Sequence, residues 1–153
     1  PMKAHEDILV FYDRLPLYNP IKSEGHKRKV IMAAHRKKCD AGEIYRKYDN
    51  YRDYSSTERY PRSVLRFKTD KQLSYLHSAQ KPVALLEYLI RIYTDENDLV
   101  LDFAMGSGSC ALACRNTGRR FVGIEIDPKI YTTALNRITD EQHPGSMGGH
   151  SQL

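Results

Sequence analysis

The apolar positions of this chain fall into short runs separated by polar breaks, and the spacing inside each run distinguishes strand from helix. Ile8-Leu9-Val10-Phe11-Tyr12 is continuous and rich in β-formers, which predicts a buried strand. Pro16 and Pro20 interrupt regular structure after it. Leu85, Leu86, Leu89, Ile90 and Tyr93 recur at helical spacing behind Pro82, whose missing N–H costs nothing in a first helical turn. Asn97-Asp98 marks the expected end of that helix. Leu99-Val100-Leu101-Asp102-Phe103 then predicts a buried parallel strand, Gly106-Ser107-Gly108-Ser109 a turn, and Cys110 to Thr117 a helix stopped by Gly118. Phe121 to Asp127 reads as a second strand, and Asp127-Pro128 caps a helix carrying Ile130, Tyr131, Ala134, Leu135 and Ile138. Strand, glycine loop, helix, strand, helix is half of a doubly wound α/β sheet.

Between Ile21 and Tyr60 the pattern changes. Lys22, Lys27, Arg28, Lys29, Arg36, Lys37, Lys38, Arg46, Lys47, Arg52 and Arg59 cluster, and Tyr45, Tyr48, Tyr51, Tyr54 and Tyr60 interleave with them. Such a stretch is either a small appended module or an arm. Lysines and arginines pair with phosphates, giving affinity without sequence choice, and tyrosines stack on bases. The competing reading is solvated charge around tyrosines that pack a small core; Tyr45, Tyr48 and Tyr51 are spaced closely enough to helical for that. Tyr60 to Phe67 returns to an extended pattern, and the tail from Asp140 is rich in Gly, Ser and His, a composition expected to be disordered. The organisation predicted is therefore 1–20, a strand and its connection; 21–60, the basic segment; 61–139, an α/β unit; and 140–153, the tail.

Composition narrows the classes. A chain of 153 residues is long enough for one domain. The formal net charge of +5 asks for an acidic partner, nucleic acid first. Cys39, Cys110 and Cys114 form no CxxC pair, which argues against a disulfide scaffold or structural zinc and fits a reducing cytoplasm. Cys110 and Cys114, four apart on a helix, read as small buried residues. No apolar run reaches a membrane-spanning length of about 18 residues, and charged residues from Lys3 to Asp7 interrupt any signal-like opening.

The candidate chemistry sits on the glycine turn. Gly106-x-Gly108-x-x-Ala111 leaves a strand and enters a helix, so the backbone can approach a ligand and the helix N-terminus adds a positive dipole. Glu125, about 20 residues further on, suits a ribose diol. A dinucleotide or S-adenosylmethionine fits this layout. Asp102, at the tip of the first strand, would repel a pyrophosphate and attract the ammonium of a methionine; alternatively it only caps the loop. Lys81, at the start of the preceding helix, either meets a ligand carboxylate or is merely exposed.

Taken together these residues resemble the DNA adenine-N6 and cytosine-N4 methyltransferase family, in its circularly permuted β-type branch. His77-Ser-Ala-Gln80-Lys81-Pro82 resembles motif ten, Asp102-Phe-Ala-Met105-Gly106-Ser107-Gly108-Ser109 motif one, and Gly123-Ile-Glu125-Ile126-Asp127 motif two. Tyr60-Pro-Arg-Ser and Asn116-Thr-Gly-Arg-Arg-Phe-Val-Gly are similar to that branch as well, and His5 to Tyr12 resembles its last strand before target recognition. The resemblance implies a Rossmann-like S-adenosylmethionine-dependent methyltransferase fold, with a partial doubly wound sheet and an inserted basic recognition segment. It implies that Asp102 holds the methionine amino group, that Met105 to Ser109 line the cofactor, that Glu125 binds the ribose hydroxyls, and that Ile126 packs on adenine with Asp127 beside it. Lys81 with His77 and Gln80 completes the methionine end. Ala104 stands where the family often has an aromatic; Phe103 either compensates or belongs to the core. The implied substrate is double-stranded DNA, gripped through Lys27, Arg28, Lys29, Arg36, Lys37, Lys38, Arg46, Lys47 and Arg52.

One departure is larger. The family methylates through an Asp-Pro-Pro-Tyr type motif, and no two prolines are adjacent in this chain. The acid and a backbone carbonyl of that motif accept hydrogen bonds from the base's exocyclic amine, and its aromatic stacks on the flipped base. Three readings follow: a segment of a site-specific DNA methyltransferase, with a restriction endonuclease as companion; a non-catalytic DNA- and cofactor-binding remnant, active only with a complementing half that carries the motif; and a nicotinamide-dependent oxidoreductase, against which Asp102 and Gln80-Lys81-Pro82 argue. With strands missing from the sheet, an uncovered apolar face and poor solubility are expected.

Overall fold

The computed structural model of the chain describes residues 5–32, 53–70 and 80–139. These residues form two compact units, one of residues 5–19, 66–70 and 80–139, the other of 20–32 and 53–65.

In the larger unit, α1 (Val83–Tyr93) precedes β3 (Leu99–Asp102), α2 (Ser109–Thr117), β4 (Arg120–Gly123) and α3 (Pro128–Thr139). The strand–loop–helix–strand–helix order read from the sequence is present, and β3 and β4 are parallel as expected. Their register pairs Val100 with Phe121 and Asp102 with Gly123. Val100 and Phe121 point to the face where Ile90 of α1 and Ala113 and Cys114 of α2 form the core, joined by Val83, Leu86 and Cys110. Burying a side chain such as Ile90 contributes about 1.5–3 kcal/mol. Asn116 Nδ2 donates to Glu87 Oε1 at 2.7 Å, tying α2 to α1. Arg119 fastens the opposite ends, its Nε donating to Thr94 Oγ1 at 3.0 Å and its Nη2 to the Thr94 carbonyl at 2.8 Å.

Three expectations need correction. First, β3 and β4 are not buried on both faces: Leu99, Leu101, Val122 and Ile124, which alternate with the core-facing residues, are 57%, 60%, 45% and 54% exposed. A strand reads as continuously apolar when both faces are meant to be covered, and among the described residues only one face is. Second, Ile8 to Tyr12 forms no strand, and all five side chains are exposed. A strand exists only through a neighbour that takes up its N–H and C=O groups, and none is present among the described residues. The stretch after Tyr60 likewise carries no strand. Third, α1 ends at Tyr93 rather than at Asn97-Asp98. The Thr94 N–H and hydroxyl both return to the Ile90 carbonyl, at 3.0 and 2.6 Å, and close the helix. Asn97, at φ 68°, and Asp98 instead build the turn into β3.

The helix starts follow the sequence closely. Asp127 Oδ1 accepts the N–H groups of Lys129 and Ile130, at 2.8 and 3.2 Å, and caps α3 as expected. Pro82 offers α1 no side-chain cap, and Asp70 Oδ2 accepts the Val83 N–H at 2.8 Å in its place.

The smaller unit is an antiparallel pair, β1 (Lys29–Ile31) against β2 (Tyr54–Ser56), extended by a bridge between Ser23 and Arg59. Arg59 is structural here: its guanidinium donates to the carbonyls of Ser56, Glu58 and Lys27. Lys22 pairs with Glu58 at 2.9 Å and lies over the Tyr60 ring. Tyr45, Tyr48 and Tyr51, Cys39 and the tail lie outside the described residues. Among the described residues no helix is long and apolar enough to cross a membrane.

Candidate functional site

The only residues that must bridge β3 and α2 are those of the glycine turn, and the chain bends there in three steps. The Met105 N–H donates to the Ile124 carbonyl at 3.0 Å, holding the turn against the end of β4. The Gly108 N–H closes back on the Met105 carbonyl at 3.0 Å. Gly108, at φ 76°, is the N-cap of α2, a left-handed conformation that costs an L-residue roughly 1–2 kcal/mol. Space is tight there as well: an added Cβ would stand 3.1 Å from the Ala134 Cβ and 3.3 Å from the Ile138 Cδ1 of α3, so α3 would have to yield. Gly123 shows the same economy at the end of β4, where a Cβ would lie 2.4 Å from the Met105 sulfur and 2.5 Å from the Phe121 ring.

The turn walls a cleft of about 260 Å³ lined by Gln80, Lys81, Leu86, Asp102, Ala104, Met105, Gly106, Ser107, Ser109 and Cys110. It therefore gathers Gln80, Lys81, Asp102, Met105, Gly106, Ser107 and Ser109 from the residues expected at a cofactor. Leu86 and Cys110 join them unforeseen. Gly108, Glu125, Ile126, Asp127 and Phe103 are not in the lining, and His77 lies outside the described residues. Phe103 is 78% exposed, so it is no part of the core, and Ile126 is 96% exposed.

Asp102 caps the loop and lines the cleft. Its Oδ1 accepts the Ala104 N–H at 3.1 Å, a cap of the loop, while the residue also faces the cleft. Lys81 is engaged too: its Nζ pairs with Glu6 Oε2 at 2.6 Å, although both side chains are at least half exposed. Glu125 binds its own chain, Oε1 accepting the Asp127 N–H at 3.0 Å and Oε2 the Gly106 N–H at 2.9 Å. These bonds, that from Asp127 foremost, hold its carboxyl below the usual carboxylate range. Burial first, then the neighbouring Cys114, pushes the Cys110 thiol up to about 12, which disfavours its thiolate.

One polar residue escaped sequence reasoning. Arg137 of α3 is 5% exposed and donates from Nη1 to the Ser107 carbonyl at 3.1 Å and the Ser109 hydroxyl at 2.9 Å. The signal was its position: three residues after Ala134, it lies on the inward face of an amphipathic helix, where a charge is out of place.

On the smaller unit Lys27, Arg28 and Lys29 are exposed, and Arg28 Nη1 donates to Ser55 Oγ at 3.1 Å. Arg36, Lys37, Lys38, Arg46, Lys47 and Arg52 lie outside the described residues.

Comparison with known proteins bears on most of the chain. The family model for N6/N4 DNA methylases matches residues 1–136. The type II methyltransferase M.HindIII of Haemophilus influenzae is 36% identical over 81 residues, covering 53% of this chain and 26% of that protein. The type II methyltransferase M.BglI of Bacillus subtilis is 45% identical over 53 residues, covering 35% and 15%. Among solved structures, an M1.HpyAVI–SAM complex is 47% identical across 42% of this chain and 31% of its own, with a TM-score of 0.41. The chain thus spans about a quarter of M.HindIII. A match over residues 1–136 of 153 leaves no doubt of kinship, and the chain belongs to the N6/N4 DNA methylase family.

Proposed function

We propose that these residues form the cofactor-binding part of a site-specific DNA amino-methyltransferase, which transfers a methyl group from S-adenosylmethionine to adenine N6 or cytosine N4. The observation that carries this is that an acidic residue, Asp102, and a basic residue, Lys81, both line one cleft at the end of β3. That donor set fits the zwitterionic end of methionine. It does not fit a pyrophosphate, which Asp102 would repel. When bound, S-adenosylmethionine supplies an electrophilic methyl group on its sulfonium.

Around it each residue has a stated task. Asp102 takes the ammonium through the oxygen edge not used by Ala104. Lys81, with Gln80, faces the carboxylate, and Glu6 holds the Lys81 ammonium in place meanwhile; His77 is assigned to the same end of the methionine. Met105, Gly106, Ser107 and Ser109 form the wall beneath, and Gly108 supplies the bend between them. Glu125 binds the ribose hydroxyls, Ile126 covers the adenine, and Asp127 keeps α3 in register behind both. Phe103 adds apolar surface beside Ala104. Lys27, Arg28 and Lys29, with Arg36, Lys37, Lys38, Arg46, Lys47 and Arg52, grip the phosphates of double-stranded DNA. A restriction endonuclease directed at the same DNA is the companion that such an enzyme implies, in the cytoplasm.

Calorimetry of the chain with S-adenosylmethionine and with NAD tests this: one site for S-adenosylmethionine is expected, and binding of NAD alone would overturn it.

A second reading is favoured by one specific pair of observations. The Asp-Pro-Pro-Tyr motif is absent from these 153 residues, and Leu99, Leu101, Val122 and Ile124 leave one face of the sheet exposed. In that reading the chain binds cofactor and DNA without chemistry until a half bearing the motif complements it. Methyl transfer to DNA after mixing, and none before, is the expected result; activity of the chain by itself refutes it.

A further inference from the structure

We infer that Arg137 is a positioning residue: a buried guanidinium that clamps the glycine turn from behind and holds it in its ligand-ready shape. It is not itself in the cleft lining, whereas Ser107 and Ser109, the two residues it binds, both are. Its Nη1 donates to the Ser107 carbonyl at 3.1 Å and to the Ser109 hydroxyl at 2.9 Å, with the Ser107 hydroxyl at 3.5 Å. One nitrogen from α3 thus spans Gly108, the residue whose left-handed φ of 76° creates the bend.

The choice of residue is costly, and the cost points to a task. Arg137 is 5% exposed, and its Nε is buried without a hydrogen-bond partner among the described residues. No carboxylate among them lies within ion-pair distance of it. Desolvation pulls the guanidinium below its ordinary value, and the charge of Asp70 opposes this only in part. An apolar residue of similar volume would occupy such a place at no electrostatic cost. What an apolar residue does not supply is a donor for the Ser107 carbonyl and the Ser109 hydroxyl. Both are buried, at 3% and 6% exposure, and a buried acceptor without a donor is unstable. Losing the guanidinium therefore leaves the turn free to move toward water, while the β3–β4 ladder, bonded through its own backbone, keeps its shape.

The test compares the full chain with Arg137→Met, which fills the volume, and Arg137→Lys, which keeps the charge and one donor. The readout, without any ligand, is hydrogen exchange at the Gly106, Gly108 and Leu112 amides against that of the β3–β4 ladder. In Arg137→Met the turn amides are expected to exchange about tenfold faster or more with the ladder unchanged, and Arg137→Lys recovers part of the protection. Should Arg137→Met fail to fold, Ser109→Ala removes one acceptor alone, and the same local acceleration is expected. Unchanged turn amides in Arg137→Met or, where that variant does not fold, in Ser109→Ala, or equal acceleration of turn and ladder, would overturn the inference. A second arm rests on the reading of the cleft as an S-adenosylmethionine site: the Kd for S-adenosylmethionine rises about tenfold in Arg137→Met. If the unaltered chain binds no S-adenosylmethionine while the turn still loosens in the variants, the cofactor reading fails and the clamp stands. If the unaltered chain binds it and Arg137→Met binds it equally well with an unaltered turn, the clamp fails and the cofactor reading stands.

Discussion

Replacing Gly108 by alanine strikes the bend on two counts that the structure separates. The first is the backbone: φ at Gly108 is 76°, and an L-residue there costs roughly 1–2 kcal/mol. The second is space: the new methyl would meet the Ala134 Cβ at 3.1 Å, the Ile138 Cδ1 at 3.3 Å and the Ala134 Cα at 3.4 Å. Ala134 is fully buried, and its backbone in α3 has little freedom to yield, so overpacking adds about 1–3 kcal/mol. The two together come to roughly 2–5 kcal/mol, a large part of the 5–15 kcal/mol that usually separates folded from unfolded. Thermal unfolding followed by circular dichroism reads this as a fall of roughly 4–20 °C for a chain of this size. Adding Ala134→Gly removes the shortest of these contacts and leaves the backbone penalty. The double variant is expected to show a favourable coupling of about 1 kcal/mol or more between the two sites. A Gly108→Ala protein that melts with the unaltered chain would refute the reasoning, since both penalties would then be absent.

Other consequences follow from the same geometry. Glu125 is held below its ordinary value of 4.5 by the N–H groups of Asp127 and Gly106, so its stabilising effect is complete above that value and is lost as pH falls through the folded one. Glu125→Gln should therefore flatten the loss of stability below about pH 4.5, measured by urea unfolding across pH; an unchanged acid limb would contradict the assignment. Cys110 and Cys114 sit in the core with raised thiols, and mapping of iodoacetamide adducts at pH 8 should find them unlabelled until denaturant is added. DNA affinity should fall steeply with salt, and replacing Lys27, Arg28 and Lys29 by alanine should lower the log–log slope by up to about 2.7. A flat salt response would remove the phosphate argument.

How much of this was legible in the sequence depends on whether a residue's partner lies near it in the chain. Gly118 ending α2, Asp127 capping α3 and the parallel pairing of β3 with β4 are local or follow from one connection, and each is present. Most of the cleft lining is likewise close together in the chain, Asp102, Ala104 to Ser107, Ser109 and Cys110, with Gln80 and Lys81 just before α1. Apart from the end of α1, which Thr94 closes locally on Ile90, what failed needed a distant partner. Ile8 to Tyr12 has strand composition, but a strand requires a neighbour, and composition does not supply one. The apolar alternation of β3 and β4 told which residues prefer burial and not whether a second layer would cover them. The pairing of β1 with β2 joins Lys29–Ile31 to Tyr54–Ser56 across a stretch with no turn signal between adjacent runs. Glu6 reaching Lys81, 75 residues away, and Arg137 reaching Ser109, 28 residues away, are of the same kind.

The ligand of the cleft is most directly measured at the carboxylate of Asp102. Titrating S-adenosylmethionine into the unaltered chain and into Asp102→Ala compares the ammonium contact with its absence. A hydrogen bond between charged groups is worth about 1.5–3 kcal/mol, so the Kd is expected to rise about 10- to 150-fold, while adenosine, which has no ammonium, should bind both proteins alike. Equal affinity of the two proteins for S-adenosylmethionine would contradict the account.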